Sequence, residues 1–415
     1  MPQVIKKLNG LISLTFLMLP SLLFSQGSNY SGPYEKSPPL VYTRQQNIVI
    51  EGLEFTNKDL SVSDGRCITL WNCENVIIKN CKFKDVLMKT AIYAENSTNV
   101  TIINCVFENI QVGLLAGNCN GGIKFEENDI KNIVGDLYDG SRFSQAVQFN
   151  QCNGPGNSIS YNVIENIPGE SSPEDIINIF HSNGTAESPI IIRGNWIRGG
   201  GPSGSGGGIL IGDWGGSYQI AEDNILVDPG QYGMGIAGGH DMTLRNNKIY
   251  ARQQPFTNLG LSIVNWTIEE TGPSYNIIIE NNKVNWTNKD GTFNIAWFSG
   301  HMREAFPDWE KASVRDPSIF KDILPDVILN RAGIETPEVK IFKDRFNRVS
   351  VKSFESSPPP ADIIIYDSTG KKIATGEIVR FRNLVDQVLD PGNYDVKVSF
   401  KDLLKIKREY ITIDN

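Results

Sequence analysis

The chain has 415 residues, 39 of them glycine, and a net charge of −8 at pH 7. That length calls for a large core with an appendage, and the acidic balance speaks against nucleic acid as a partner. Short strands joined by tight turns suit a composition rich in Gly, Asn, Val and Ile.

Residues 1–25 open with Lys6 and Lys7, continue through the apolar run Leu11 to Phe24, and reach Ser25-Gln26. A basic start, a short apolar core and small polar residues read as a secretory signal. The run is short for a membrane span and holds Pro20. No later segment is apolar enough to cross a bilayer, so no membrane span is expected.

Residues 26–300 are expected to form one repetitive domain. From Gly207 to Ala251 the chain runs twice through one unit of strand, polar turn and second strand, and Ile220–Asp223–Ile225 superposes on Leu244–Asn247–Ile249 at an offset of 24 residues. Nine segments share an aliphatic or aromatic residue two positions after a key residue, from Leu53-Glu-Phe55 through Cys81-Lys-Phe83 and Asn195-Trp-Ile197 to Asn282-Lys-Val284, at intervals of 23 to 35 residues. That self-similarity, in segments too short for helices, marks stacked β-coils. A second register alternates with period two: Ile68-Thr-Leu70, Ala91-Ile-Tyr93, Ala146-Val-Gln-Phe149, Ile177-Asn-Ile179, Ile209-Leu-Ile211, Met234-Gly-Ile236 and Leu261-Ser-Ile263. Cys81 and Cys105 take equivalent places in successive repeats, as do Cys119 and Cys152, which predicts either disulfides between coils or buried stacked thiols.

These repeats resemble the right-handed parallel β-helix of pectate-lyase-like proteins over roughly residues 40 to 300. The expected fold is all-β, a right-handed parallel β-helix followed by a small C-terminal β-sandwich-like domain. Residues 301–338 carry short helical patterns and read as a cap and linker, since an open β-stack end needs covering. Residues 339–415 resemble the C-terminal sorting domains of type IX secretion cargo in Bacteroidetes, on the Tyr366-Asp-Ser-Thr-Gly370-Lys-Lys hairpin and the Leu389-Asp-Pro-Gly392-Asn-Tyr394 turn. A plain accessory β-sandwich shares such turns. Export to the medium or the cell surface follows from either end of the chain, and a monomer is expected.

In the β-helix family, substrate lies along one outer sheet. The resemblance therefore points to the second register as the floor of a groove, with Gln148, Asn150, Asn178, His181, Asp213, His240 and Asn265 as one band. Insertions just before these strands add Arg142, Glu174, Asp175, Tyr232 and Arg252, and function concentrates in such loops. The segment from about 170 to 255 looks like alginate- or glucuronan-type polysaccharide lyases. This implies β-elimination of an anionic, uronic-acid-containing polysaccharide, in which a base takes the proton beside the carboxylate and an acid assists the leaving oxygen. A cation or hydrogen-bond donor stabilises the enediolate. His181, Tyr232 and Asn178 are the catalytic candidates, while Arg142, Gln148, Asn150, Asp213, His240, Arg252 and Asn265 are the substrate-binding ones. A hydrolase using Asp213 with Glu174 or Asp175 is the first alternative, and a non-catalytic glycan-binding adhesin the second. Glu174-Asp175, or Asp136 with Asp139, offer oxygen ligands for Ca²⁺, against the reading of a charged solvent loop. Gly233-Met-Gly235-Ile-Ala-Gly238 fits a dinucleotide fingerprint, but no helix follows it.

Overall fold

The computed structural model describes residues 27–56 except 31, then 65–134 and 144–329, and beyond those the strands and turns of a second unit between 339 and 413. The chain divides into two compact units, the coil stack and the antiparallel strands from Val339 onward.

The stack is a right-handed parallel β-helix, with 26 strands joined by parallel pairing. Each coil contributes to three sheets. The first holds Leu40–Thr43, Ile68–Trp71, the later halves of Lys82–Glu95 and Val106–Gly117, then Gln145–Asn150, Ile177–Asn183, the start of Ile209–Glu222, Tyr232–Ile236, Leu259–Ile263 and Ala296–Phe298. The second runs from Gln46–Glu51 to Ile277–Glu280, and the third from Glu35–Lys36 to Lys283–Trp286. Period-two alternation turns Val147, Phe149, Ile177, Ile179, Ile209, Ile211, Met234, Ile236, Leu261 and Ile263 inward, where all are buried.

Stacking repeats the same residue type at the same place. Phe55 and Phe83 lie with ring centroids 5.2 Å apart, and Phe83 and Phe107 at 4.8 Å. Burying each such ring stabilises the stack by roughly 1.5–3 kcal/mol. At the turn between the second and third sheets stand Asn128, Asn162, Asn195, Asn224, Asn247 and Asn282. Each Nδ2 of the first five donates to the Oδ1 of the next, at 2.8–3.1 Å. These amides would otherwise be buried without partners.

This column corrects the repeat alignment. Asn224, not Asp223, is the rung below Asn247, so Ile225 pairs with Lys248 and Leu226 with Ile249. The offset there is one residue shorter than the sequence suggests, because a ladder asparagine sets the register where two adjacent apolar residues leave parity open. Likewise Ile92, not Ala91, aligns with Ile68. All six cysteines are free and buried, the stacked-thiol alternative. Burial pushes the Cys67 thiol up to about 12 and holds Cys105 and Cys152 well above their ordinary value.

The last coil is covered by the short helix Gly300–Ala305, whose Met302 is fully buried, and by Phe306 and Trp309 against Phe298. In the second unit, Val339–Lys343, Arg348–Ser353 and Arg382–Val388 form one antiparallel sheet. Lys372–Ile378, Ala361–Asp367, Gly392–Phe400 and Lys405–Ile413 form another sheet. Tyr394 there donates its hydroxyl to the Asp390 carbonyl at 2.8 Å, closing the Leu389–Tyr394 turn. The signal-like residues 1–25 and most of the Tyr366–Lys372 turn lie outside the described residues. No helix among the described residues is long and apolar enough to cross a membrane.

Candidate active site

The outward rows of the first sheet are fixed by its register. Gln148 pairs with Asn178, which pairs with Leu210, then Gly235, Ser262 and Trp297. The neighbouring row runs Asn150, Phe180, Asp213. Simple alternation from Leu210 would turn Asp213 inward. A bulge prevents this, because Asn178 pairs with Leu210 while Phe180 pairs with Asp213, so one extra residue is absorbed. That stretch contains Gly212 in the left-handed region, with φ of 65°. Fully buried Gln219 holds the bulge, accepting the Gly212 N–H on Oε1 at 2.9 Å and donating from Nε2 to the Ser182 carbonyl at 2.7 Å.

Asp213, brought outward, accepts the Asn178 Nδ2 at 2.9 Å, and Asp175 accepts the same nitrogen at 3.0 Å. One amide therefore bridges two carboxyls, and their nearest oxygens are separated by no more than those two bonds laid end to end. Gln148 Nε2 donates to the Asn178 Oδ1 at 3.3 Å and fixes the amide's orientation. On its other oxygen, Asp175 accepts the Tyr232 hydroxyl at 2.5 Å and the Gly207 N–H at 3.0 Å. Beside it, Glu174 accepts the Ser203 hydroxyl at 2.5 Å and the Ser205 hydroxyl as well.

Burial dominates the electrostatics. It raises Asp175 to about 6 despite three donors that favour the ionised form. Burial also raises Asp213, opposed by Asn178 and the Trp214 N–H. Tyr232 is pushed well above its ordinary value, first by burial and then by Asp175. Among the described residues, no Lys or Arg makes an ion pair with Asp175 or Asp213. A half-buried carboxyl beside a fully enclosed one whose proton affinity is raised to about 6 can divide acid and base work between them.

The structure thus gathers Gln148, Asn150, Asn178 and Asp213 of the expected band with Asp175 and Tyr232 of the insertions. The others stand elsewhere. His181 is exposed within its strand Ile177–Asn183, at the register shift between Phe180 and Ser182, with φ of 41°. His240 opens the strand of the second sheet, paired with Ser217, so the two histidines do not share a row. The His240 ring stacks on Tyr275 with centroids 4.5 Å apart, and its Nδ1 meets Asp241 at 2.6 Å.

Asn265 does not face the groove. It is buried and closes its own loop, donating to the Gly272 carbonyl and Ser274 Oγ and accepting the Thr267 N–H. Arg252 pairs with Asp228 at 3.2 Å and lines a separate pocket of about 480 Å³ with Arg198, Glu165 and Lys321. Arg142, Asp136 and Asp139 lie outside the described residues. No group of three or more His, Cys, Asp or Glu among the described residues has metal-binding geometry.

A second pocket, of about 330 Å³, opens on the same sheet and is lined by Leu210, Tyr232, Ser262, Trp266 and Trp297 among others. Both tryptophans escape the repeat reading, since neither falls in an alternating run whose outward side could be assigned.

A model of right-handed β-helix regions matches residues 34–153. No curated protein matches by sequence. Among solved structures, the catalytic domain of a GH87 alpha-1,3-glucanase in complex with tetrasaccharides is 13% identical with a TM-score of 0.35, covering 65% of this chain and 64% of that one. The chain thus spans less than two thirds of that domain. PfbA, a surface adhesin of Streptococcus pneumoniae, is 11% identical at TM-score 0.32, covering 63% of this chain and 81% of its own. The tailspike of E. coli bacteriophage HK620 in complex with a hexasaccharide is 12% identical at 0.33, covering 93% and 69%. What the chain holds in common with the matched family model is the right-handed β-helix, already set out by its own strand pairing.

Proposed function

We propose that the protein cleaves glycans by hydrolysis, with Asp213 and Asp175 as its carboxyl pair. One observation carries this reading: a single amide, Asn178 Nδ2, bridges both carboxyls on the outer side of the first sheet. Asp213, the more open of the two, acts on the sugar. Asp175, raised to about 6, keeps a share of its protons at neutral pH and supplies the acid. Their close approach suits direct attack by a carboxylate rather than the roughly 6.5–9.5 Å gap that admits a water between the groups.

β-Elimination, the leading expectation from the sequence, asks for a cation or strong donor on the substrate carboxylate. Arg252 is committed to Asp228, and the Tyr232 hydroxyl donates to Asp175. Both weaken that reading. Export, supported by the basic and apolar start of the chain, belongs to the same proposal.

The test is incubation with neutral β- and α-glucans, xylan and mannan, and with alginate, glucuronan and pectate. Reducing ends are followed together with absorbance near 235 nm. New reducing ends without absorbance are expected, and their loss in Asp213→Asn. An unsaturated product would replace hydrolysis by elimination.

A further inference from the structure

Trp266 is 67% exposed and Trp297 46% exposed, with ring centroids 6.2 Å apart and planes tilted by 48°. Most large apolar side chains of the stack are inside, so two adjacent open indoles are a feature of the surface and not of the core. Trp297 ends the same outward row that carries Asn178: Asn178, Leu210, Gly235, Ser262, Trp297. Between them, Gly235 keeps the floor low. A Cβ there would come within 2.7 Å of Leu210 and 3.2 Å of the Ser262 carbonyl.

The pocket beneath the indoles combines flat apolar faces with Ser205, Gln231, Asn258 and Ser262, and among the described residues none that lines it carries a charge at neutral pH. This lining suits an uncharged ligand with apolar C–H faces for the rings and hydroxyls for the amides and serines. A pyranose meets all three demands. Leu210, next to Asn178 in the outward row, and Tyr232, bonded to Asp175, both line the pocket and join it to the carboxyl pair.

We propose that Trp266 and Trp297 form a stacking subsite for a neutral pyranose of a glycan laid along the solenoid axis. Resting on the hydrolase reading, this deepens it by fixing substrate class and direction. Four steps of strand spacing separate Asn178 from Trp297, about 19 Å, so a chain of about four sugars reaches both. The subsite adds affinity and length selection and leaves the chemical step alone.

Binding is read on the Asp213→Asn protein, so that it does not depend on cleavage. Intrinsic tryptophan fluorescence and calorimetry are recorded with gluco-, xylo- and manno-hexasaccharides, their disaccharides, and a polyuronate hexasaccharide. At least one neutral hexasaccharide is expected to perturb the indoles and to bind about tenfold more weakly to Trp297→Ala and Trp266→Ala. Disaccharides should show no such difference, and Trp297→Phe should restore most of the affinity. In the Asp213 protein the same changes should raise KM for the hexasaccharide and leave kcat within about twofold.

Binding that ignores both substitutions overturns the subsite, as does a failure of every neutral hexasaccharide to bind. Indole-dependent binding of the polyuronate alone overturns the neutral-sugar assignment. Indole-dependent binding of a neutral hexasaccharide that the wild-type protein never cleaves leaves the subsite standing and removes the hydrolase.

Discussion

Two regions border the same loops and treat buried acid in opposite ways. The pocket around Arg198 and Arg252 and the pocket of Trp266 and Trp297 are lined by different residues of the 199–205, 228–232 and 252–259 segments, and Tyr232 of the second joins it to Asp175. In the pocket, burial raises Asp228, but Arg252 and Arg198 oppose it. Glu165 accepts the Ile328 and Leu329 N–H groups at 3.1 Å, and Arg198 donates to the Lys321 and Leu324 carbonyls. Charge there is matched by charge and by peptide, and the result is attachment of residues 321–329 to the coils. In the groove the acids meet only neutral donors, Asn178, Tyr232 and backbone N–H. Neutral donors fix position without supplying an opposite charge, so the proton affinity stays high. The difference separates fastening from chemistry.

The sharpest way to break this comparison is to neutralise one acid from each region. Asp213→Asn should cut turnover about a thousandfold, within the usual range for an acid–base group, while Asp228→Asn leaves it within about twofold. Equal losses would move the active centre to the cationic pocket and favour elimination. Next in size is a pH effect. Asp175 has its folded value near 6, above the ordinary 3.8, so the folded state holds a proton that the unfolded chain releases between those values. Stability from this group is therefore full below about pH 4 and lost as pH rises through 6, by on the order of 3 kcal/mol. Urea unfolding between pH 4 and 7 should show that fall in the wild type and a flatter profile in Asp175→Asn.

Glu165→Ala should cost about 2 kcal/mol by stranding the buried Ile328 N–H and the partly buried Leu329 N–H, and should speed proteolysis near residues 321–329. Activity on short substrates would persist. Smallest is Arg252→Gln, whose arginine is 63% exposed; less than about 1 kcal/mol is expected, vanishing at high salt.

The fold was legible because its period is written in residue types. Inward phenylalanines and turn asparagines recur where each coil needs them. Parity was less legible. The tetrapeptide Val-Asn-Trp-Thr occurs at 264–267 and again at 284–287, yet Trp266 is 67% exposed and Trp286 is fully buried. The first copy leaves its strand at a corner and the second continues one, a distinction made by the neighbouring coils. Asp213 reaches the groove only through a bulge that Gln219 secures from the interior, and no local pattern announces that support. The second carboxyl is hard to single out from Glu174 by sequence for a similar reason. Asp175 reads as part of a charged surface loop until Tyr232, 57 positions away, closes over it.

The asparagine column has a direction. Along it each Oδ1 from Asn162 onward faces the preceding coil, while each Nδ2 from Asn162 to Asn247 divides its two hydrogens, one going to the next rung's Oδ1 and one to a carbonyl of the preceding coil, so one side chain ties its coil to both neighbours. Removing a middle member such as Asn195 orphans the Asn162 donors and the Ile159 carbonyl below and takes a donor from the Asn224 Oδ1 above, whereas losing Asn282 at the tail disturbs a single neighbouring coil. The solenoid is therefore built to fray from its extremities, and harm done there stays local.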